Sequence, residues 1–189
     1  MYLFFDTETT GLPKNWKAPE TDSDNWPRLV QLAYLQTDEN GTVTNEGNYI
    51  IRPEGFVIPN AVSQIHGITH ERALNEGVEL TTVLLEFAEL IERSDCIVGH
   101  NVVFDKKIIG AEFHRFGIFS SLKEKETICT MMKSTNYCGI LGEYGVKWPK
   151  LQELHIKLFG TEFDGAHDAS ADIAATKKCF FELKRIGIL

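Results

Sequence analysis

Tyr2-Leu3-Phe4-Phe5-Asp6-Thr7-Glu8-Thr9-Thr10-Gly11 is the stretch on which the reading of this chain turns. Four apolar residues in a row mark a strand buried on both faces. Alternate residues of a strand point the same way, so Asp6 and Glu8 project side by side from its end, ahead of a Thr-Thr-Gly turn. Two carboxylates that close repel, and each raises the other's pKa unless a cation compensates. Hard oxygen ligands of this kind suit Mg²⁺ or Mn²⁺. The pair points to a metal-dependent enzyme.

The rest of the 189 residues, 43% apolar and 24% charged, suit one domain, 1–189, with a sizeable core. No apolar run approaches the roughly 18 residues that span a bilayer, and no signal-peptide pattern precedes the first strand. A cytoplasmic protein with no membrane contact is expected. Cys96, Cys129, Cys138 and Cys179 are scattered, without a C-x-x-C pair, which fits reduced, partly buried thiols. The net charge of −8 argues against broad coating of nucleic acid. Half of it, however, lies on Asp6, Glu8, Asp105 and Asp172, which together could form one metal site, and bound cations reverse the field there. A grip on a single chain end stays compatible with that charge.

Along the chain, Leu12 to Pro27 is polar, carries Trp16 and Trp26, and reads as a long loop, either a binding element or a solvated excursion. Arg28–Thr37 and Thr42–Arg52 read as strands about an Asn40-Gly41 hairpin signal. Apolar residues at 83, 84, 87, 90 and 91 predict a helix over Thr81–Arg93 with Thr81 as its cap. Cys96–Gly99 reads as a buried strand, Val103–Phe116 as a helix closed by Gly117, and Glu126–Thr130 as a fifth strand. Pro149 fits the start of a helix carrying Leu151, Leu154 and Leu158, and Ala169–Lys184 forms the last helix. These elements give an α/β fold, a mixed sheet covered by helices.

Two further segments place acids where the chain enters a helix: His100-Asn101-Val102-Val103-Phe104-Asp105 and His167-Asp168-Ala169-Ser170-Ala171-Asp172. Taken singly, Asp105 and Asp172 have a plain alternative, an acid favoured by the helix dipole. Asp168 or Ser170 is the natural N-cap of the last helix. His167 and Asp172 then face one cleft only if that helix starts after His167; inside it they would stand roughly 140° apart.

D-x-E, H-N-x-x-F-D and H-x-x-x-x-D, in this order from Phe5 to about Thr176, resemble the DnaQ-like 3′-to-5′ exonucleases, the DEDD family in its histidine branch. Polymerase proofreading subunits, ribonuclease T and the three-prime repair exonucleases belong to it. The resemblance implies an RNase H-like fold, a five-stranded sheet with a three-strand antiparallel meander plus parallel strands. It also implies two Mg²⁺ or Mn²⁺ ions held by Asp6, Glu8 and Asp172, with Asp6 bridging and Asp105 assisting through water. His167 would be the general base. Two such ions about 4 Å apart activate a water and stabilise the leaving 3′-oxygen, and a histidine suits base work at neutral pH. The product would be a nucleoside 5′-monophosphate.

The same resemblance makes Thr9, Thr10, Gly11 and Leu12, with Ile65 and His66, candidates for the terminal nucleotide, although Gly11 also fits a plain turn. Asn101 and Phe104 could face the substrate. Lys106, Lys107, Lys147 and Lys150 could meet phosphates, though a solvated surface is the simpler role. His66 and His70, four apart, lack a helix or third ligand for zinc. The partner expected is the 3′ end of single-stranded DNA or RNA. The indoles of Trp16 and Trp26 could stack its bases. A polymerase or a second copy of the chain is the protein contact to consider. A proofreading subunit would be expected to carry a C-terminal tether, and the chain stops at Leu189. A non-catalytic module of the same fold would be expected to lack ligands, yet all five positions are filled.

Overall fold

The computed structural model of the chain describes residues 1–166 and 168–189. β1 (Tyr2–Thr9) is the middle strand of five. It pairs antiparallel with β2 (Leu29–Thr37), which pairs antiparallel with β3 (Val43–Ile50). On its other edge β1 runs parallel to β4 (Cys96–Gly99), and β4 to β5 (Glu126–Cys129). The order is β3-β2-β1-β4-β5, the mixed RNase H-like sheet expected from the sequence.

Burial on both faces explains the apolar run in β1. Leu3 and Phe5 point to the core shared with α3 (Leu80–Arg93) and α4 (Val102–Phe116), where Phe5 meets Phe87 at 5.1 Å between ring centres. Phe4 points the other way, onto α7 (Ala169–Arg185), and meets Phe180 at 5.4 Å. Each fully buried Phe stabilises the fold by about 1.5–3 kcal/mol. The β2–β3 turn follows its Asn-Gly signal: Asp38 Oδ1 accepts the amides of Asn40 (2.9 Å) and Thr42 (2.8 Å). Gly41 adopts φ 87° there, and a Cβ would press into the Phe181 ring at 3.0 Å.

Several elements depart from expectation. α3 starts at Leu80 after Glu79, so Thr81 lies inside the first turn rather than capping it. α1 (Asn60–His66) and α2 (His70–Glu76) occupy a stretch with no marked periodicity. Seven residues make only two turns, too few for an apolar stripe to show. Thr130 ends no strand; it opens α5 (Thr130–Cys138). A small hairpin, β6 (Leu141–Gly142) and β7 (Gly145–Val146), then leads to α6 (Leu151–Phe159), whose N-cap is Lys150, so Pro149 precedes the helix rather than opening it.

The Leu12–Pro27 segment is largely exposed but anchored at several points. Asn15 and Asn25 bond reciprocally, amide to side-chain carbonyl at 2.7 Å and side-chain amide to carbonyl at 2.9 Å. A 3₁₀ turn at Ser23–Asn25 follows. Arg115 on α4 donates to the Ser23 and Trp26 carbonyls, and Glu20 pairs with Lys107 at 3.2 Å. The four cysteines are free and buried, and among the described residues no helix is long and apolar enough to cross a membrane.

Candidate active site

Strand alternation places Asp6 and Glu8 on the α7 face of β1, and the first turn of α7 brings Asp172 to them. One carboxylate oxygen from each residue lies within 4.8 Å of the other two. Asp168 caps α7 by accepting the amides of Ser170 (2.9 Å) and Ala171 (3.2 Å). α7 therefore starts at Ala169, which meets the condition on which the His167 role depends. His167 itself lies outside the described residues.

Asp105, only 4% exposed in the first turn of α4, is not one of this trio. Its Oδ1 accepts both the backbone amide (3.1 Å) and the hydroxyl (2.7 Å) of Thr7. Thr7 stands between the two acids of β1 but faces the opposite side, so one strand end holds the whole acidic group. The available signal was the alternation itself, a hydroxyl residue at the odd position facing the helix that carries Asp105.

Crowding and burial keep these acids from ionising easily. Burial, then Asp105, Asp172 and Glu8, hold Asp6 well above the carboxylate range. Burial, followed by Asp172 and Asp105, pushes Glu8 up to about 8. Asp105 is pushed up to about 7 by burial, against which the two Thr7 hydrogen bonds work. Such a cluster is the environment that bound cations relieve.

The expected substrate residues divide by role. The Thr9 hydroxyl donates to the Gly11 carbonyl (2.7 Å), and the Thr10 hydroxyl accepts the Arg28 amide (2.9 Å), so both fix the turn. Gly11 adopts φ 151° in open space, as a turn glycine. Leu12 and Ile65 are exposed, at 73% and 59%. His66 ends α1 buried, its Nδ1 accepting the Ile68 amide (3.1 Å), and burial lowers its pKa. His66 and His70 stand on two different helices and, among the described residues, belong to no metal-competent cluster. Asn101 caps α4 in the left-handed region at φ 68°, a conformation asparagine tolerates. Phe104 packs against Trp16 at 5.7 Å, whereas Trp26 is buried with its indole N–H on the Pro19 carbonyl (3.0 Å) and is not free to stack a base. Lys106 donates to Thr127 (2.8 Å), Lys107 pairs with Glu20 (3.2 Å) and Lys147 with Glu153 (2.6 Å); Lys150 is exposed.

His100, the first residue of the middle motif, is structural. Its Nε2–H donates to the Pro149 carbonyl (2.9 Å) and its Nδ1 meets the Thr130 hydroxyl (3.0 Å). Burial lowers its pKa to about 4, opposed by the Pro149 carbonyl. A neutral His100 thus ties the end of β4 to the starts of α5 and α6.

An RNase H-like sheet with clustered acids at the end of its central strand defines the DnaQ-like exonuclease class. The Exonuclease family profile (RNase T type) matches residues 3–180, and the chain belongs to this family. It is 31% identical over 117 residues to the PolC-type DNA polymerase III of Pediococcus pentosaceus, covering 62% of this chain and 7% of that protein. E. coli exonuclease I in complex with a dA16 oligonucleotide superposes with a TM-score of 0.73 at 24% identity, over 97% of this chain and 40% of that one. The same enzyme in complex with a dT13 oligonucleotide gives 0.70 at 23%, over 98% and 42%. The chain thus spans well under two thirds of these relatives.

Proposed function

We propose that residues 1–189 form one exonuclease domain that removes nucleoside 5′-monophosphates from the 3′ end of single-stranded DNA or RNA. The observation that carries this is the convergence of Asp6, Glu8 and Asp172 within 4.8 Å, with buried Asp105 at the same strand end. All donors are carboxylate oxygens, and the raised pKa values of Asp6, Glu8 and Asp105 are those of a site built for cations, so the residues fit Mg²⁺ or Mn²⁺. Asp6, Glu8 and Asp172 would hold two ions, with Asp6 shared and Asp105 assisting through water. When bound, they supply activation of a water and stabilisation of the leaving 3′-oxygen. His167 takes the proton of the attacking water; the start of α7 at Ala169 supports this role. The turn at Thr9–Leu12, together with Ile65 and His66, orients the terminal nucleotide. The oligonucleotides bound to E. coli exonuclease I support a single strand as substrate. The likeness to a PolC-type polymerase supports a second reading, that the domain works beside a polymerase as a proofreading unit.

Product analysis tests this function. With Mg²⁺ the wild type releases nucleoside 5′-monophosphates, EDTA stops it, and His167→Ala slows turnover by roughly 10²- to 10⁴-fold while metal affinity is kept. Nucleoside 3′-monophosphates, or turnover indifferent to EDTA, would overturn it.

A further inference from the structure

We infer that Gln152 and His155 on α6 are positioning residues for the general base, because they clamp the loop that carries His167; this rests on the exonuclease reading above. α6 ends at Phe159 and α7 begins at Ala169, and His167 belongs to the connection between them. Gly160 closes α6 in the left-handed region at φ 76°, its amide donating to the Ile156 carbonyl (2.8 Å). Beyond it Thr161, Glu162, Asp164, Gly165 and Ala166 are exposed, and only Phe163 is half-buried. An exposed, polar connection has little stability of its own. A general base, by contrast, has to stay within about 3 Å of the proton it takes.

α6 supplies what the loop lacks. The Gln152 side-chain amide donates to the Phe163 carbonyl (2.7 Å), and its side-chain oxygen accepts the Phe163 amide (3.2 Å). Both backbone groups of Phe163 are thereby paired, much as a neighbouring strand would pair them. One helical turn further on, His155 Nδ1–H donates to the Thr161 carbonyl (2.7 Å). A carbonyl can only accept, so this bond keeps the His155 proton on Nδ1. His155 is 3% exposed, and its ring centre lies 4.7 Å from that of Phe159 and 5.4 Å from that of Phe163. The anchor is buried although the loop is not.

The other end of the loop is tied to α7. The Asp168 amide donates to the Gly165 carbonyl (3.0 Å), and Gly165 adopts φ 79°, where a Cβ would stand 3.1 Å from that of Ala171. His167 follows Phe163 by four residues, between the clamp and the Asp168 cap. Fixing a short span at both ends lowers the entropic cost of ordering its centre. That cost is then met on folding and not at each turnover. α6 contributes none of the four acids, so the loop is the route by which Gln152 and His155 reach the chemistry.

A double-mutant cycle on kcat, with single strands in Mg²⁺, tests the clamp. Gln152→Leu comes close to the native volume and removes both bonds to Phe163; it should lower kcat and kcat/KM together by roughly 10- to 100-fold. His155→Ala should act in the same direction, and His155→Asn, whose side-chain amide can donate to the Thr161 carbonyl, should recover most of the rate. In a His167→Ala background Gln152→Leu should cost less than about two-fold, because no base is left to position. Should Gln152→Leu fail to fold, Gln152→Glu takes its place in the cycle: it keeps an acceptor for the Phe163 amide but sets a second oxygen against the Phe163 carbonyl. Wild-type turnover by these variants, or equal slowing with and without His167, would overturn the clamp and leave the exonuclease standing. A His167→Ala protein as fast as wild type would remove the base and its clamp together. Strands left whole by wild type would remove the exonuclease reading as well.

Discussion

Burial and mutual repulsion hold Asp6, Glu8 and Asp105 above the ordinary carboxylate range. Glu8 titrates near 4.5 when unfolded and near 8 when folded, and Asp105 near 3.8 and near 7. Between those values the folded state binds more protons than the unfolded state, so stability falls as pH rises and levels off above the folded value. His66 and His100 are shifted downwards and act in the opposite sense, but only below the ordinary imidazole range, about 6.5. The clean window is therefore about pH 6.5 to 8. In EDTA the melting temperature should fall across it, and Mg²⁺ or Mn²⁺ should raise it most at the upper end, where the ligands ionise readily. A melting temperature in EDTA that climbs through this window would contradict the assignment. At this scale the sequence was informative: the D-x-E alternation placed Asp6 and Glu8 on one face. Thr7 and His100 were harder to see, since their roles depend on partners 98 and 49 positions away.

Among the elements, α4 does the most to shape the site. Its first turn presents Asp105, and its last turns fix the Leu12–Pro27 segment that carries Trp16. Glu112, with no exposed side chain, is central to this: its Oε1 accepts Arg28 Nε (2.9 Å) and the Leu29 amide (3.0 Å), and Arg115 lies 3.0 Å away. Replacing it leaves two cations without their shared partner. Glu112→Ala should cost about 3–5 kcal/mol in urea unfolding, and a loss under about 1 kcal/mol would show that the pairs matter little. The long apolar-patterned helices were legible in the sequence because α3 repeats its stripe over several turns. α1 and α2 were not, being two turns each, and α5 begins with Thr-Met-Met-Lys-Ser, which carries no stripe. The order of the Leu12–Pro27 segment was hidden for another reason. Its anchors Lys107 and Arg115 belong to α4, beyond the reach of any local pattern.

For the molecule as a whole, the order of the motifs mattered more than composition. An acidic chain of net charge −8 looks unsuited to nucleic acid until half of that charge is seen gathered at one strand end. The sheet order was legible because an antiparallel meander followed by strand–helix units leaves few unknotted arrangements. What local sequence could not supply was the meeting of distant segments, seen in the packing of Trp16 against Phe104. The most direct test of the central claim incubates 5′-labelled single strands of DNA and RNA with wild type and Asp6→Ala in Mg²⁺. Wild type should yield a ladder shortened from the 3′ end, and Asp6→Ala should be slower by roughly a thousand-fold, the effect of losing several kcal/mol of transition-state stabilisation. Strands untouched by wild type, or shortened equally by both proteins, would contradict the account.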